Sequence, residues 1–190
     1  IANGFTDKAR KQAKSNVTSL REAIVDKGIP VLATSSTCTF TLRDEYPHLL
    51  DVDNSGLREH IELATRFLWR KLDSGQTLPL RKLPLKVVYH TPCHMEKMGW
   101  ALYTLELLRM IPGLELTVLD SRCCGIAGTY GFKRENYETS QAIGAPLFHQ
   151  IEESGADLVV TDCETCKWQI EMSTSKRCEH PITLLAKALG

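Results

Sequence analysis

The chain has 190 residues, and its 23 basic and 23 acidic side chains give a formal net charge of zero. Because no excess of positive charge is present to neutralise phosphates, this composition argues against nucleic acid as the main partner. The sequence holds no run approaching the ~20 consecutive apolar residues that a transmembrane helix needs. No signal peptide is recognised, and since the chain lacks an initiator methionine, we expect it to start within a longer polypeptide.

The first part of the chain predicts a helix, a strand and a second helix. Residues 7–27 carry apolar side chains at helical spacing and are followed by Gly28, a typical helix C-cap. The apolar run 31–33 predicts a short buried strand, and 55–73 predicts another amphipathic helix. The stretch 78–85 contains two prolines and reads as an extended connector, so the boundary between two units is expected there.

From residue 86 onward the pattern becomes regular. The predicted elements are, in chain order, strand 86–90, helix 96–111, strand 115–119, helix 133–154, strand 157–161, a helix through Met172, and a last helix at 182–189. Strands that alternate with crossover helices are typical of a parallel sheet with right-handed connections. The predicted fold class is therefore α/β, with a βαβαβα unit.

Five of the seven cysteines directly follow the carboxyl ends of these predicted strands. They are Cys93, Cys123, Cys124, Cys163 and Cys166. Because the carboxyl ends of parallel strands meet at one edge of a sheet, we expect these distant sulfurs to converge. Thiolates select soft metals, namely zinc, copper(I) or iron–sulfur clusters. Two adjacent cysteines suit thiolates that reach different atoms of one cluster.

A faint internal repeat links the two parts of the chain. Three residues before the first strand match three before the last: Leu20, Ile24 and Gly28 against Leu147, Ile151 and Gly155. The match continues with residues 35–38 against 163–166, so that Thr37 falls on Thr165 and Cys38 on Cys166. Residues 1–77 are therefore interpreted as the end of a degenerate first copy plus a connecting helix, and 78–190 as a complete, cluster-binding copy.

Several residues outside the five cysteines have two readings. Cys38 is expected to be a vestigial buried thiol, and the alternative is that it is a residual ligand or lines a second pocket. Cys178 is expected to be an ordinary cysteine. The candidates to hydrogen-bond a cluster or let the backbone approach it are His90, His94 and Gly125, and packing or capping is the alternative for both histidines. Asp162 and Glu164 are expected to be an N-cap and a first-turn acid.

Three motifs together carry a resemblance to a known family. They are Tyr89-His90-Thr91-Pro92-Cys93-His94, Cys123-Cys124-Gly125-Ile126-Ala127-Gly128 and Asp162-Cys163-Glu164-Thr165-Cys166. They resemble the cysteine-rich CCG domain family, which includes the catalytic subunit of heterodisulfide reductase and the iron–sulfur subunits of glycolate and glycerol-3-phosphate dehydrogenases. The residues between the motifs are most similar to the glycerol-3-phosphate dehydrogenase members. The resemblance covers one complete repeat at 86–175 and the end of a preceding one.

The resemblance implies an iron–sulfur cluster on the five cysteines, expected to be [4Fe–4S] and non-cubane in some members. It implies no catalytic residue, but an electron-transfer subunit that accepts electrons from a flavin-dependent glycerol-3-phosphate dehydrogenase and passes them toward membrane quinone. Its partners would be flavoprotein subunits, and it would be cytoplasmic, held at the inner membrane through the complex.

Two other functions remain open from the sequence. One is a disulfide or thiol reductase that uses a non-cubane cluster. The other is a zinc-stabilised interaction module, in which four of the five thiolates would hold the metal.

Overall fold

The structure is a computed structural model that describes residues 1, 3–120 and 122–190. In chain order, the elements of the first part are α1 (Thr6–Arg21), β1 (Val31–Ala33), α2 (Ser36–Phe40), α3 (Tyr46–Leu50), β2 (Ile61–Leu63) and α4 (Ala64–Asp73). A π-helical turn, Glu22–Asp26, extends α1, and Gly28 follows it with a positive φ of 63°. This agrees with the predicted helix 7–27 and its C-cap glycine.

The predicted helix 55–73 is wrong over its first half. A short 3₁₀ turn, Arg58–His60, leads into β2, which pairs in parallel with β1, and only then does α4 begin. All three residues of β2 are buried. A strand of three residues that is buried on both faces shows no period, and its partner lies far away in sequence, so the pattern favoured a longer helix. Helices α2 and α3 were not predicted either.

The second part of the chain is an α/β unit, as predicted. Its elements are β3 (Lys86–Tyr89), α5 (Cys93–Met98), α6 (Ala101–Arg109), β4 (Glu115–Val118), α7 (Tyr137–Glu153), β5 (Leu158–Val160), α8 (Glu164–Ser173), β6 (Cys178–Glu179) and α9 (Pro181–Leu189). The helix predicted at 96–111 is broken at Gly99, whose φ is 69°. The two-residue strand β6 was not predicted.

All strand pairs described in the second part are parallel, in the order β4-β3-β5-β6. The central strand β3 runs in register with both neighbours, since Val88 lies opposite Thr117 and Val159. The carboxyl ends of β3, β4 and β5 therefore lie side by side. This register brings together the loops that follow the three strands.

The two faces of this sheet bury different cores. On one face Val88 and Val159 pack with Leu147 and Ile151 of α7, and this cluster also contains Cys124, Cys163 and Cys166. On the other face, the sheet packs against α6 and α9. The core formed there also includes residues of α4, from the first part of the chain. The two parts thus share a core, and the predicted boundary between 77 and 78 stays a prediction. Among the residues described, no helix is both long and apolar enough to cross a bilayer.

Candidate metal centre

The structure brings all five predicted cysteines to one cleft of about 550 Å³ at the carboxyl edge of the sheet. Cys93 is the first residue of α5, directly beyond β3. The Cys123–Cys124 pair follows β4, and Cys163 and Cys166 flank the first turn of α8 beyond β5. Each group stands where a chain leaving a parallel strand turns into the next segment, which is why residues distant in sequence meet here.

The sulfurs lie at two depths in the cleft. Cys124, Cys163 and Cys166 are at most 5% exposed, whereas Cys93 and Cys123 stand open at the mouth. The Sγ atoms of Cys124 and Cys166 are 3.2 Å apart. The cleft therefore offers thiols from its floor to its rim, around a space that a multi-atom group could fill.

The five thiols lie so close together that they change one another's pKa values. Hydrogen bonds from Cys124 and Cys93 lower the pKa of Cys123 to about 2, and a hydrogen bond from Cys166 lowers that of Cys163 to about 5. The same contacts raise the pKa of each donor, that of Cys124 to about 12. Two of the five thiols can therefore ionise only while the other three stay protonated. A bound cationic group would let all five become thiolates, so the donor set fits a metal centre.

His90 adds a nitrogen donor beside the buried cysteines Cys124 and Cys166. Its ring is 1% exposed, and neither ring nitrogen has a hydrogen-bond partner among the described residues. A donor atom of His90 lies within 4.8 Å of the Sγ atoms of Cys124 and Cys166. Burial lowers the pKa of His90 to about 4, which keeps the ring neutral. A buried imidazole without a partner is costly, and a group bound between these side chains would satisfy it.

Gly125 acts on the site through its backbone. Its N–H donates to Cys123 Sγ at 3.3 Å. Its φ is 85°, and a Cβ there would lie 2.0 Å from the carbonyl oxygen of Ser140 in α7. The glycine is thus required by the contact of this loop with α7, in addition to any approach to a cluster.

A buried polar network behind Cys163 was missed by sequence reasoning. Asp162 is fully buried and accepts hydrogen bonds from the Tyr89 hydroxyl at 2.6 Å and from Thr104 at 3.2 Å. Burial raises the pKa of its carboxyl to about 6. The N-cap position of α8 belongs to Cys163, so the expected N-cap role of Asp162 is wrong, whereas Glu164 does lie in the first turn. Tyr89 ends β3 and Asp162 follows the neighbouring strand β5 by two residues, and this is the one signal that could have paired them.

The first part of the chain also lines the cleft, through Thr37, Thr41 and Glu45. These residues come from α2 and the π-helical turn that follows it.

The two remaining cysteines, Cys38 and Cys178, do not line the cleft. Cys38 is exposed, so the expectation of a buried thiol is wrong there, because the helix turns that side chain outward. Cys178 is fully buried in β6, and its burial raises the pKa of its thiol to about 12.

The five cysteines of the cleft lie within a segment that matches a known protein family. The cysteine-rich domain CCG matches residues 87–171. Lactate utilization protein A of Bacillus velezensis is 30% identical over 174 residues, which cover 85% of this chain and 68% of that protein. The chain belongs to the CCG cysteine-rich domain family.

Other relatives match the chain over most or all of its length. One subunit of the anaerobic glycerol-3-phosphate dehydrogenase of Escherichia coli is 86% identical over 190 residues, which are all of this chain and 48% of that protein. An uncharacterized iron-sulfur protein of Methanocaldococcus jannaschii is 31% identical over 175 residues, 91% of this chain and 32% of that protein. The chain spans about half the length of the first of these relatives.

Proposed function

We propose that this CCG chain holds an iron–sulfur cluster on Cys93, Cys123, Cys124, Cys163 and Cys166. The observation that carries the proposal is the convergence of five thiols in one cleft, supplied by three separate turns at the same sheet edge. Thiolates are the ligands that iron–sulfur clusters use in proteins. The iron–sulfur relative from Methanocaldococcus jannaschii supports the same kind of group.

The cluster is proposed to be a [4Fe–4S] type, and a non-cubane form would account for the fifth thiol. An ordinary cubane takes four cysteines, one for each iron. Here a fifth donor is present, and the adjacent Cys123 and Cys124 stand at different depths of the cleft. Two neighbouring thiolates at different depths can reach different iron atoms.

Three further residues are proposed to surround the cluster without being its main ligands. The ring of His90 has no hydrogen-bond partner among the described residues, lies beside Cys124 and Cys166, and could donate an N–H to a cluster sulfur. Gly125 donates its N–H to Cys123 Sγ, and His94 lines the rim. Hydrogen bonds to cluster sulfurs tune the reduction potential, so these groups would adjust it rather than react.

The proposed role is electron transfer without catalysis. An iron–sulfur cluster supplies one-electron transfer, and its protein positions it and sets its potential. The 86% identity to one subunit of an anaerobic glycerol-3-phosphate dehydrogenase supports a role for this chain as a subunit of such an enzyme. In that role it would take electrons from flavoprotein subunits that oxidise glycerol 3-phosphate and pass them toward membrane quinone. It would lie on the cytoplasmic side of the inner membrane, attached through the complex.

Metal and sulfide analysis tests this proposal. We expect protein purified without oxygen to contain about four iron and four sulfide ions per chain. Cys124→Ser should lose the cluster absorption and its EPR signal, because it removes a thiol from the floor of the cleft. Cys178→Ser is the matched control, since Cys178 is equally buried in the same core but does not line the cleft.

The same preparation separates the two rival functions. One equivalent of zinc without sulfide would reject the redox role and favour a zinc-stabilised module held by thiolates, with His90 as a further donor. Turnover of a small disulfide by the iron-loaded chain would favour the reductase instead. An unchanged EPR signal in Cys124→Ser would refute the ligand assignment.

A further inference from the structure

The sulfur of Cys163 faces two threonine hydroxyls. Thr165 Oγ1 lies 3.3 Å from it and belongs to the same helix turn. Thr37 Oγ1 lies 3.6 Å from it and comes from α2, in the first part of the chain. These two threonines occupy matching positions in the internal repeat. Each copy therefore directs its equivalent hydroxyl at one and the same sulfur.

Helix α2 is held in place against the cysteine site by contacts on both sides of Thr37. The backbone N–H of Ser36 donates to the carbonyl oxygen of Asp162 at 2.9 Å, immediately before Cys163. The ring of Phe40 stacks on that of His94 with centroids 4.8 Å apart and an interplanar angle of 12°. These contacts tie the first turn of α2 to the segment between β5 and α8, and the last residue of α2 to α5. The distance from Thr37 to the sulfur is thus set by the fold.

The chemistry of the partners gives this contact a direction. His94 Nδ1 lies 3.1 Å from Thr37 Oγ1. A thiolate or metal-bound sulfur can only accept, so the hydrogen of Thr37 must point at Cys163. The threonine oxygen is then free to accept from His94, which requires the tautomer that carries its hydrogen on Nδ1. Hydrogen bonds linked in this way polarise and strengthen one another.

We propose that Thr37, supported by His94, donates a hydrogen bond to Cys163 Sγ and thereby raises the reduction potential of the centre. The inference rests on the proposed function. Reduction adds negative charge near the sulfur, and a hydrogen-bond donor stabilises that charge. The degenerate first copy, which lacks a full CxxC, would then serve the site as a second source of hydrogen bonds to its sulfurs.

The test is the midpoint potential of iron-loaded variants, measured by dithionite titration with EPR detection. Thr37→Val removes the hydroxyl and keeps the side-chain shape, and we expect one-electron reduction to become about tenfold less favourable, a fall of about 59 mV. Thr39→Val is the matched control. The Thr39 hydroxyl belongs to the same helix but does not line the cleft, and it donates to the carbonyl oxygen of Ser35 at 3.0 Å, so the midpoint potential of this variant should stay at the wild-type value.

Iron and sulfide analysis of each variant makes every outcome decisive. An unchanged potential in iron-loaded Thr37→Val overturns this inference alone, and wild-type protein without iron and sulfide overturns the proposed function with it. If Thr37→Val fails to hold iron, Thr37→Ser decides, since it keeps the hydroxyl. Iron at the wild-type potential in Thr37→Ser supports the hydrogen bond, whereas loss of iron in both variants shows that the methyl group matters instead and overturns the inference.

Discussion

Gly125 is the position at which a single added methyl group should most disturb the cysteine site. An ideal Cβ there would lie 2.0 Å from the carbonyl oxygen of Ser140 and 3.1 Å from the backbone nitrogen of Gly144. Both atoms belong to the backbone of α7, so no side chain can swing aside. In Gly125→Ala the loop or the helix must move by about 1 Å or more to bring the distance between the new Cβ and the Ser140 oxygen up to that of an ordinary contact.

The size of the effect can be worked out against a matched glycine. Gly155 also has a positive φ, 64°, but a Cβ there would meet nothing within 4 Å. A left-handed backbone costs an alanine about 1–2 kcal/mol, and the stiffer unfolded chain offsets about 0.4–1 kcal/mol of that. Gly155→Ala should therefore lose about 1 kcal/mol. Gly125→Ala adds an overpacking cost of about 1–3 kcal/mol, for a total of about 2–4 kcal/mol.

The assay is urea unfolding of both variants and of wild type, followed by far-UV circular dichroism. We expect the free energy of unfolding to fall about 1–3 kcal/mol further in Gly125→Ala than in Gly155→Ala. Equal losses in the two variants would show that the close approach of Gly125 to α7 does not constrain the fold.

Three other predictions concern the core and the cluster. Tyr89→Phe should cost about 1.5–3 kcal/mol of folding free energy, because it removes a hydrogen bond to the buried carboxylate of Asp162. Leu147→Ala should cost about 2–5 kcal/mol, because it leaves a cavity beneath the cysteine site. Stripping the metal from wild-type protein with a chelator should lower its melting temperature, because a group that binds only the folded state stabilises it.

Each of these predictions has a control within the chain. Tyr137 is 46% exposed and Ile143 is 49% exposed, so Tyr137→Phe and Ile143→Ala should stay within about 0.5 kcal/mol of wild type by urea unfolding. Tyr89→Phe with wild-type stability would mean that the hydrogen bond from Tyr89 to Asp162 contributes nothing to folding. For the chelator, Cys124→Ser should already melt at the lower temperature and show no further change, and a further fall there would point to a metal elsewhere.

The α/β class and the convergence of the cysteines could be predicted because they depend on local pattern. The apolar runs at 86–90, 115–119 and 157–161 each coincide with a strand to within about a residue. A cysteine group stands just beyond each run, and parallel strands connected by helices bring their carboxyl ends to one edge. No knowledge of distant contacts was needed for either conclusion.

Strand β2, helix α2 and the hydrogen bond from Thr37 could not be predicted in this way. β2 is a strand because β1 lies beside it, and its three residues have no period of their own. Thr37 looked like part of a decayed motif, and only the packing of α2 against α5 places its hydroxyl near Cys163. Cys38, in the same helix, faces outward for the same reason.

By itself, the sequence determined which sulfurs would share a sheet edge, since strand order along the chain and the handedness of the crossovers leave few alternatives. Only the tertiary structure decided how deep each sulfur lies, that His90 is buried without a partner among the described residues, and which residues of the first copy reach the cleft. The physical reason is that depth and hydrogen-bond partners come from side chains packed across many residues of chain. The spacing of residue types along the sequence does not show which of these side chains come into contact.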